Sequence, residues 1–499
     1  MAINLRAVKT LGSNFDPRKI PGLVGWYDSA DLTSMAENDD GTGSVSIGST
    51  VGYWKDKSGS NNHVTQSTAD NRPTVTASAV NDKTALVFDG SNDTLERSNY
   101  TDQSGLTGLT RIALYSTSQN AQFSRDLSGA DTPFLVSSNT LVSRVAGSNG
   151  IAVSIPTTNS LTLGIYSSVF DGSDQTMKIN FLGATLPTTT SPFVPSPPSS
   201  TTGAGPGTLA IGSNNGANQF VDGPIAEYLV YNRTLNDYEL RYVEEYLAKK
   251  WGFTLAPKVS NAEAQDYINR IYAAGSSIDT TAANAINDFV TGCQNDGIWD
   301  SIKACCILCG ANSLAGALVP LVGATPTNNN FVSSDYDRLT GLKGDGNTKS
   351  LDSNRANNAD PQDDNHNAIY HSANAGVGGF QLTAGNAATG SNAILRSTGT
   401  LQVRNRTAAG TNSAFGTTLG FKGISRSASA DYTYRVGSTD YTASSVSQTP
   451  FNGNVILFSD GNTGYGSDRL AFYSIGESLD LALLDNRVSA LITAIQNSV

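Results

Sequence analysis

The sequence predicts a mainly β protein, built as two antiparallel two-sheet sandwiches separated by a small α-helical block. Three observations predict it. The chain of 499 residues carries 49 glycines and abundant Asn, Ser and Thr, but only 15% charged residues, which favours turns and short strands over long helices. Segments 109–115, 161–166 and 176–181 alternate as half-buried strands do, and short strand candidates recur at 394–395, 401–403, 415–424, 432–436 and 455–458. The chain also repeats itself. Phe88-Asp89-Gly90-Ser91-Asn92-Asp93 is followed at a distance by Ile225-Ala226-Glu227-Tyr228-Leu229-Val230-Tyr231, a polar turn and an amphipathic helix. Lys343-Gly344-Asp345-Gly346-Asn347 is followed by Arg469-Leu470-Ala471-Phe472-Tyr473, another polar turn and another helix. Such duplication predicts a module used twice. The 38% hydrophobic content is low but grouped, which predicts folded sandwiches rather than disorder.

Residues 1–20 read as an N-terminal arm, with Pro17 and Pro21 bracketing a short basic segment. Residues 21–253 read as the first sandwich. Its first strand covers 24–28, and Tyr53-Trp54 is an aromatic anchor before a polar turn. The stretch 187–207 is rich in Pro, Ser, Thr and Gly, without a packing pattern, and reads as a long surface loop. A helix is expected over 236–250. Asn236 or Asp237 caps it, and Leu240, Val243, Tyr246 and Leu247 form one apolar face. Glu239, Glu244 and Glu245 are expected to face water or a partner. Lys249 and Lys250 suit the negative end of the helix dipole, and Gly252 stops the helix.

Residues 254–315 are expected to be a helical connector, with helices at 264–271, 280–293 and 298–308. Residues 316–499 read as a second, diverged sandwich. Its closing helix places Leu481, Leu484, Val488, Leu491, Ile492 and Ile495 on one face. The four cysteines, 293, 305, 306 and 309, fall in the expected helical segment. On a helix these thiols do not converge on a zinc ion, so they read as small buried hydrophobes.

The net charge of −11 and the absence of a dense cationic stripe argue against nucleic-acid binding, which needs many phosphate contacts. The first residues do not resemble a signal peptide, and the apolar stretch 314–324 is too short to span a bilayer and contains Pro320. Synthesis in a cytoplasm without membrane insertion is the expectation.

Asp89, Asn92 and Asp93 offer oxygens locally, and Asp222 can join them through the fold, which makes a candidate Ca²⁺ site. The competing use of Asp89 and Asp345 is a turn in which the carboxylate accepts backbone amides and Gly relieves the backbone. Tyr53, Trp54 and Tyr115 are candidates for stacking on a sugar face, with core packing the competing use of Trp54. Trp26 and Trp251 read as closing one core. His63, His366 and His371 are too scattered for a zinc centre, and Asp363, Asp364, His366 and His371 read as a solvated loop. A glycosidase needs paired carboxylates across a cleft. No Glu-x-Asp-x-x-Glu strand, Gly-x-Ser-x-Gly elbow or phosphate-binding Gly loop occurs, and Glu227 reads as structural. No catalytic residue is expected.

Asp56-Lys57-Ser58-Gly59, Asn62-His63, Phe88-Asp89-Gly90, the ending 223–235 and Tyr246-Leu247-Ala248-Lys249-Lys250-Trp251-Gly252 occur in the order seen in the laminin-G-like, concanavalin-A-like jelly roll family, which residues 21–253 resemble. The second module looks like a diverged relative. Asn295-Asp296-Gly297-Ile298-Trp299-Asp300-Ser301-Ile302-Lys303-Ala304 and Leu470-Ala471-Phe472-Tyr473-Ser474-Ile475-Gly476-Glu477-Ser478-Leu479-Asp480 resemble structural proteins of tailed phages, cyanophages among them. That resemblance implies a non-enzymatic virion component, synthesised in the host cytoplasm. It would be a tail fibre or adhesin that attaches to host-surface glycans. Its partners would be other virion proteins and its own copies, a trimer first among the homo-oligomers. A capsid decoration or cement protein without glycan binding is the alternative, and a glycan-degrading enzyme on the same scaffold a third.

Overall fold

The computed structural model describes residues 15–100, 102, 105–125, 132–137, 140–145, 152–156, 160–186, 189–190, 207–214, 216, 218–376, 378–386, 388–397 and 399–497. The expected arm lies outside them except for 15–20, and the loop at 187–207 except for 189–190 and 207. The chain divides into two compact units, Met1–Leu255 and Ala256–Val499. The expected fold class is present: each unit is a mainly β, antiparallel sandwich.

In the first unit, Asp222–Tyr231 lies at the centre of an eight-stranded sheet. The order is Ala184–Thr185, Thr176–Phe181, Leu161–Asp171, Gly108–Thr117, Asp222–Tyr231, Lys83–Asp89, Thr74–Val80. The first strand, Leu23–Asp28, also pairs with Asp222–Tyr231, with Trp26 opposite Leu229. A six-stranded sheet and a four-stranded sheet complete the strands of this unit.

The central strands are apolar on both faces because both are covered. Tyr27, Ala113, Tyr115, Tyr228 and Val230 belong to one core, and Trp26, Ile112, Leu114, Leu229 and Tyr231 to the other. The second set packs under helix α1, Asp237–Trp251, through Leu240, Val243, Leu247, Ala248 and Trp251. Asn236 accepts from the amides of Tyr238 and Glu239, Glu239 returns to the Asn236 amide, and Gly252 closes the helix at φ +78°.

The second unit opens with α2, Ala262–Ala273, and α3, Thr280–Asn295, followed later by the short α4, Leu314–Ala317, and the closing α5, Leu481–Gln496. Its eight-stranded sheet repeats the first strand for strand. Thr439–Ser444, Asp431–Val436, Gly420–Arg426, Asn365–Ala373, Arg469–Gly476, Gly341–Lys343 and Tyr336–Asp337 occupy the same order, and Ile302–Ile307 pairs with Arg469–Gly476 as Leu23–Asp28 pairs with Asp222–Tyr231. A seven-stranded sheet faces it.

This topology corrects one expectation. The third helix expected at 298–308 is instead the strand Ile302–Ile307, with Cys305 opposite Ser474 and Cys306 opposite Tyr473. A strand buried on both faces loses its alternation, and a short apolar run then cannot be told from a helix by periodicity. The second sandwich therefore begins earlier than residue 316. All four thiols are buried and unpaired by disulfides, and burial pushes the Cys293 thiol up to about 12, as expected of inert packing groups. Among the described residues no helix is long and apolar enough to cross a membrane.

Because α1 seals the outer face of its sheet through fully buried Leu247, Leu247→Ala is expected to lower the stability of the first unit by about 2–5 kcal/mol. Urea unfolding followed by tryptophan fluorescence checks this.

Candidate functional site

Glu227 sits on the central strand of the first unit, fully buried, between Trp26 of the first strand and the last turns of α1. Its Oε1 accepts from Trp26 Nε1 at 2.8 Å and the Tyr246 hydroxyl at 2.9 Å. Its Oε2 accepts from Lys250 Nζ at 2.7 Å and Trp251 Nε1 at 2.8 Å. Burial, then the charge of Asp28, push its pKa up, and Lys250 and the Trp251 indole oppose them. Four donors fill both oxygens and leave none for a substrate.

Asp56 organises the adjacent loop in the same manner. It accepts from the amides of Trp26 (2.9 Å), Ser58 (2.8 Å) and Asn62 (3.0 Å). Lys57 Nζ bridges Asp28 and Asp31, at 2.7 and 2.8 Å. Asn62 Nδ2 donates to the Val24 carbonyl at 2.9 Å, and the Tyr27 hydroxyl donates to the Asn62 carbonyl at 2.5 Å. His63 Nδ1 accepts the Asp56 amide at 3.0 Å, so this imidazole is also a loop fastener.

The candidate cation residues are brought together, but as a turn. Asp89 stands opposite Asp222 in the strand register. Gly90, at φ +75°, lies so close to Asp222 that a Cβ would come within 2.7 Å of the Asp222 Cβ. Asp89 Oδ1 accepts from the amides of Ser91 (2.8 Å) and Asn92 (3.2 Å), Asp93 Oδ2 accepts from the Asp89 amide (2.9 Å), and the Ser118 hydroxyl donates to Asp222. Burial and the Asp89 charge raise the Asp93 carboxyl to about 6, against the hydrogen bond from the Asp89 amide. Asp345 repeats the turn, accepting from the amides of Asn347, Thr348 and Lys349 at 2.9, 2.8 and 3.0 Å. Among the described residues no three His, Cys, Asp or Glu side chains converge to hold a metal ion.

Two of the three stacking candidates are corrected. Trp54 and Tyr115 are fully buried in the inter-sheet core, with Trp54 against Tyr27 at 5.7 Å and Tyr115 against Phe123 at 4.6 Å. Sugar cannot reach either ring. Only Tyr53 is partly exposed, and it packs on His63 at 5.3 Å. Trp26 and Trp251 meet at Glu227, as already described. The expected solvated loop at His366 and His371 is also corrected: both lie on the strand Asn365–Ala373 and are fully buried.

These histidines belong to buried polar networks of the second unit. His366 Nδ1 faces the Glu477 carbonyl at 2.6 Å and Nε2 the Ser474 hydroxyl at 2.8 Å, and burial lowers its pKa to about 4. Lys422 Nζ donates to His371 Nδ1 at 2.8 Å and approaches Gln381 Oε1 at 3.4 Å. Gln381 Nε2 and Arg396 Nε donate to Asp468 Oδ2 at 2.9 and 2.7 Å. Burial lowers Lys422 to about 7 and also lowers His371. Asp468 is held well below the usual carboxylate range by His371, Arg396 and the Ala375 amide, which outweigh burial. Lys422 and His371 come from one sheet, Gln381 and Arg396 from the other, so the network rivets the two together.

An open recess of the first unit lies elsewhere. A cavity of about 440 Å³ is lined by Asp171, Asp174, Thr176, Lys178, Asn180 and Thr185 from the sheet, by Thr234, Asn236 and Asp237 at the start of α1, and by Val169, Leu235 and Leu240 beneath. Asp171 Oδ1 caps its own turn through the amides of Ser173 and Asp174, at 2.9 and 3.3 Å. Thr234 Oγ1 donates to the Phe170 carbonyl at 2.9 Å and holds the helix entry against the sheet. Glu244, expected to face outward, is buried. Its Oε1 accepts from Ser167 Oγ at 2.8 Å and Asn180 Nδ2 at 3.4 Å, because those strand positions offer donors under the helix. Sequence reasoning missed this recess. Its signal was the stripe Thr176, Lys178, Asn180, polar at every second position on one strand.

No protein-family model and no curated protein matches the chain. Among solved structures it is similar to Trypanosoma rangeli sialidase in complex with the inhibitor DANA, at 14% identity and TM-score 0.30, over 50% of this chain and 37% of that one. The alignment thus spans little more than a third of the sialidase. Mouse laminin α1 chain domains LG4-5 align at 9% identity and TM-score 0.27, over 76% of this chain and 88% of that one. A heptameric SAP-like pentraxin from Limulus polyphemus aligns at 18% identity and TM-score 0.21, over 32% and 80%. Likenesses of this size carry no argument, and the fold rests on the strand pairings themselves.

Two outcomes are expected. Glu227→Leu leaves two indoles and a phenol without their acceptor and the Lys250 ammonium with Asp28 as its remaining carboxylate, so the first unit is expected to lose about 3–5 kcal/mol in urea unfolding. His366 is neutral when folded, with a pKa of about 4 against an ordinary 6.5. As pH falls through 6.5 the unfolded chain takes up the proton first, so stability present above that pH is lost progressively toward 4, by about 3 kcal/mol. His366→Gln is expected to flatten that part of the pH–stability profile.

Proposed function

We propose that the chain is a non-enzymatic structural protein of a tailed-phage particle, a tail fibre or adhesin that engages host-surface glycans. One observation carries the reading: the side chains best suited to chemistry are spent on architecture. Glu227 is filled by four donors, Asp468 is held by Arg396, Gln381 and a backbone amide, and both buried histidines bond within their sandwich. A glycoside hydrolase needs two carboxylates facing one cleft; Glu227 and Asp468 are enclosed, and of the carboxylates lining the open recess, Asp171, Asp174 and Asp237, Asp171 is engaged in capping its own turn.

The resemblance of 295–304 and 470–480 to tailed-phage structural proteins supports placement in a particle. The repeated sandwich supports an attachment role, since rigid copies on a symmetric homo-oligomer convert weak contacts into avidity. A trimer is the first assembly to test, with other virion proteins as its neighbours.

The full chain, incubated with a panel of bacterial polysaccharides, is expected to be retained on at least one of them without shortening it. Co-sedimentation reads retention, and size-exclusion chromatography of the recovered polysaccharide reads chain length. Shortening would establish an enzyme instead, and failure to be retained on any polysaccharide would favour a cement role.

A further inference from the structure

The recess of about 440 Å³ beside the start of α1 is formed by folded strands and a capped helix, and its size falls within the roughly 300–1,000 Å³ of small-molecule sites. Its wall contains a buried acceptor with nothing to accept. Asn180 is 6% exposed, and its Nδ2 faces Glu244 Oε1 at 3.4 Å, which fixes the orientation of the amide. Asn180 Oδ1 is then left buried without a hydrogen-bond partner. A buried acceptor left unpaired is destabilising, and because Asn180 lines the recess, a small rotation of its amide would present that oxygen to a donor bound there.

The remaining groups narrow that donor. Asp171, Asp174 and Asp237 line the recess against one cation among the described residues, Lys178. An anionic ligand would meet this excess of carboxylates and be repelled. A divalent cation needs several oxygens converging on one point, and among the described residues no three acidic, His or Cys side chains do so. What fits is a neutral molecule that gives several hydrogen bonds and accepts a few. Its hydroxyls would donate to the carboxylates and to Asn180 Oδ1, and its oxygens would accept from Lys178. The aliphatic side chains of Val169, Leu235 and Leu240 offer an apolar floor for its C–H face.

We infer that this recess, between the strand Thr176–Phe181 and the start of α1, is the glycan-binding site and takes a short neutral saccharide. The inference rests on the attachment reading above and gives it a place and a ligand class. Aromatic stacking, the usual sequence signal for sugar binding, plays no part, since among the described residues no aromatic side chain lines the recess.

The test uses the full chain and saturation-transfer NMR followed by titration. The probes are maltose, cellobiose, lactose and N,N′-diacetylchitobiose as neutral saccharides, with 3′-sialyllactose and digalacturonate as acidic ones. At least one neutral probe is expected to bind, and the acidic probes are expected to bind more weakly. Thr176 is exposed on the recess wall. Thr176→Trp fills the space and is expected to weaken that binding at least tenfold, with circular dichroism and melting temperature confirming the fold. Lys178→Glu, also at an exposed position, is expected to weaken it without filling the space. Binding of a neutral probe that both variants leave intact would overturn the site while the attachment reading stands. Binding of acidic probes alone would overturn the ligand class. If no probe binds, the site is overturned, and retention on polysaccharide then decides the attachment reading separately.

Discussion

The first unit depends on one buried charge. Glu227 is the point at which the opening strand, the central strand and the closing helix meet, because its two oxygens accept from Trp26, Tyr246, Lys250 and Trp251. Removing a carboxylate from water is costly, so it is stable there only with every lone pair engaged. That requirement fixes the rotation of α1 on the sheet more sharply than apolar packing does, since Leu240, Val243 and Leu247 would tolerate small slides that the four donors would not. Lys250 also reaches Asp28, which joins the strand edge and the Lys57 loop to the same network.

The second unit meets the same demand with the charges exchanged. There the strand carries the base and the helix the acid: Arg435 Nε bonds Asp485 on α5 at 2.8 Å, with both side chains nearly buried. A second pair, Arg487 with Asp296 at 2.7 Å, ties α5 to the end of α3. The two units share a strand order but no clamp residues. The duplicated feature is the need for a charged lock between sheet and helix, which either polarity can satisfy. This explains why the residues that carry the family resemblance, Asp56, Asn62, Glu227, Tyr246, Lys250 and Trp251, all prove to be fasteners. A fingerprint of this kind reports a fold, and function has to be argued from other surfaces.

What was legible in the sequence follows from exposure. Strands with one wet face alternate, and 176–181 is found where expected. The helix beginning at Asn236 was legible because a capping box is a local event whose residues lie next to one another in the chain. The failures lie where both faces are dry or where a partner comes from afar. Ile302–Ile307 has no polar side to mark it as a strand. His366 and His371 looked solvated beside Asp363 and Asp364, yet Ser474, Glu477 and Lys422, distant in sequence, draw them inward. Glu244 is buried for a similar reason, by Ser167 and Asn180. The recess left only the polar stripe Thr176, Lys178 and Asn180 as a trace in the sequence, because it is made by the absence of side chains between a strand and a helix end.

The interiors of the two sandwiches then diverge in a way that separates their responses to acid. Between its sheets the first unit places rings, with Tyr115, Phe123, Phe134, Tyr166 and Tyr228 in mutual contact. The second places Asp468, Arg396, Gln381, Lys422 and His371. An aromatic interior has no group that titrates between neutral and mildly acidic pH. The polar one has a lysine and a histidine in direct hydrogen bond, each with its pKa lowered by burial. The geometry admits one proton fewer than the pair could carry in water, because His371 Nδ1 must remain an acceptor for Lys422 to donate to it. Protonating His371 would set two donors face to face in a dry space, so the unfolded chain takes up that proton more readily than the folded one. Acid therefore weakens the rivet between the second unit's sheets.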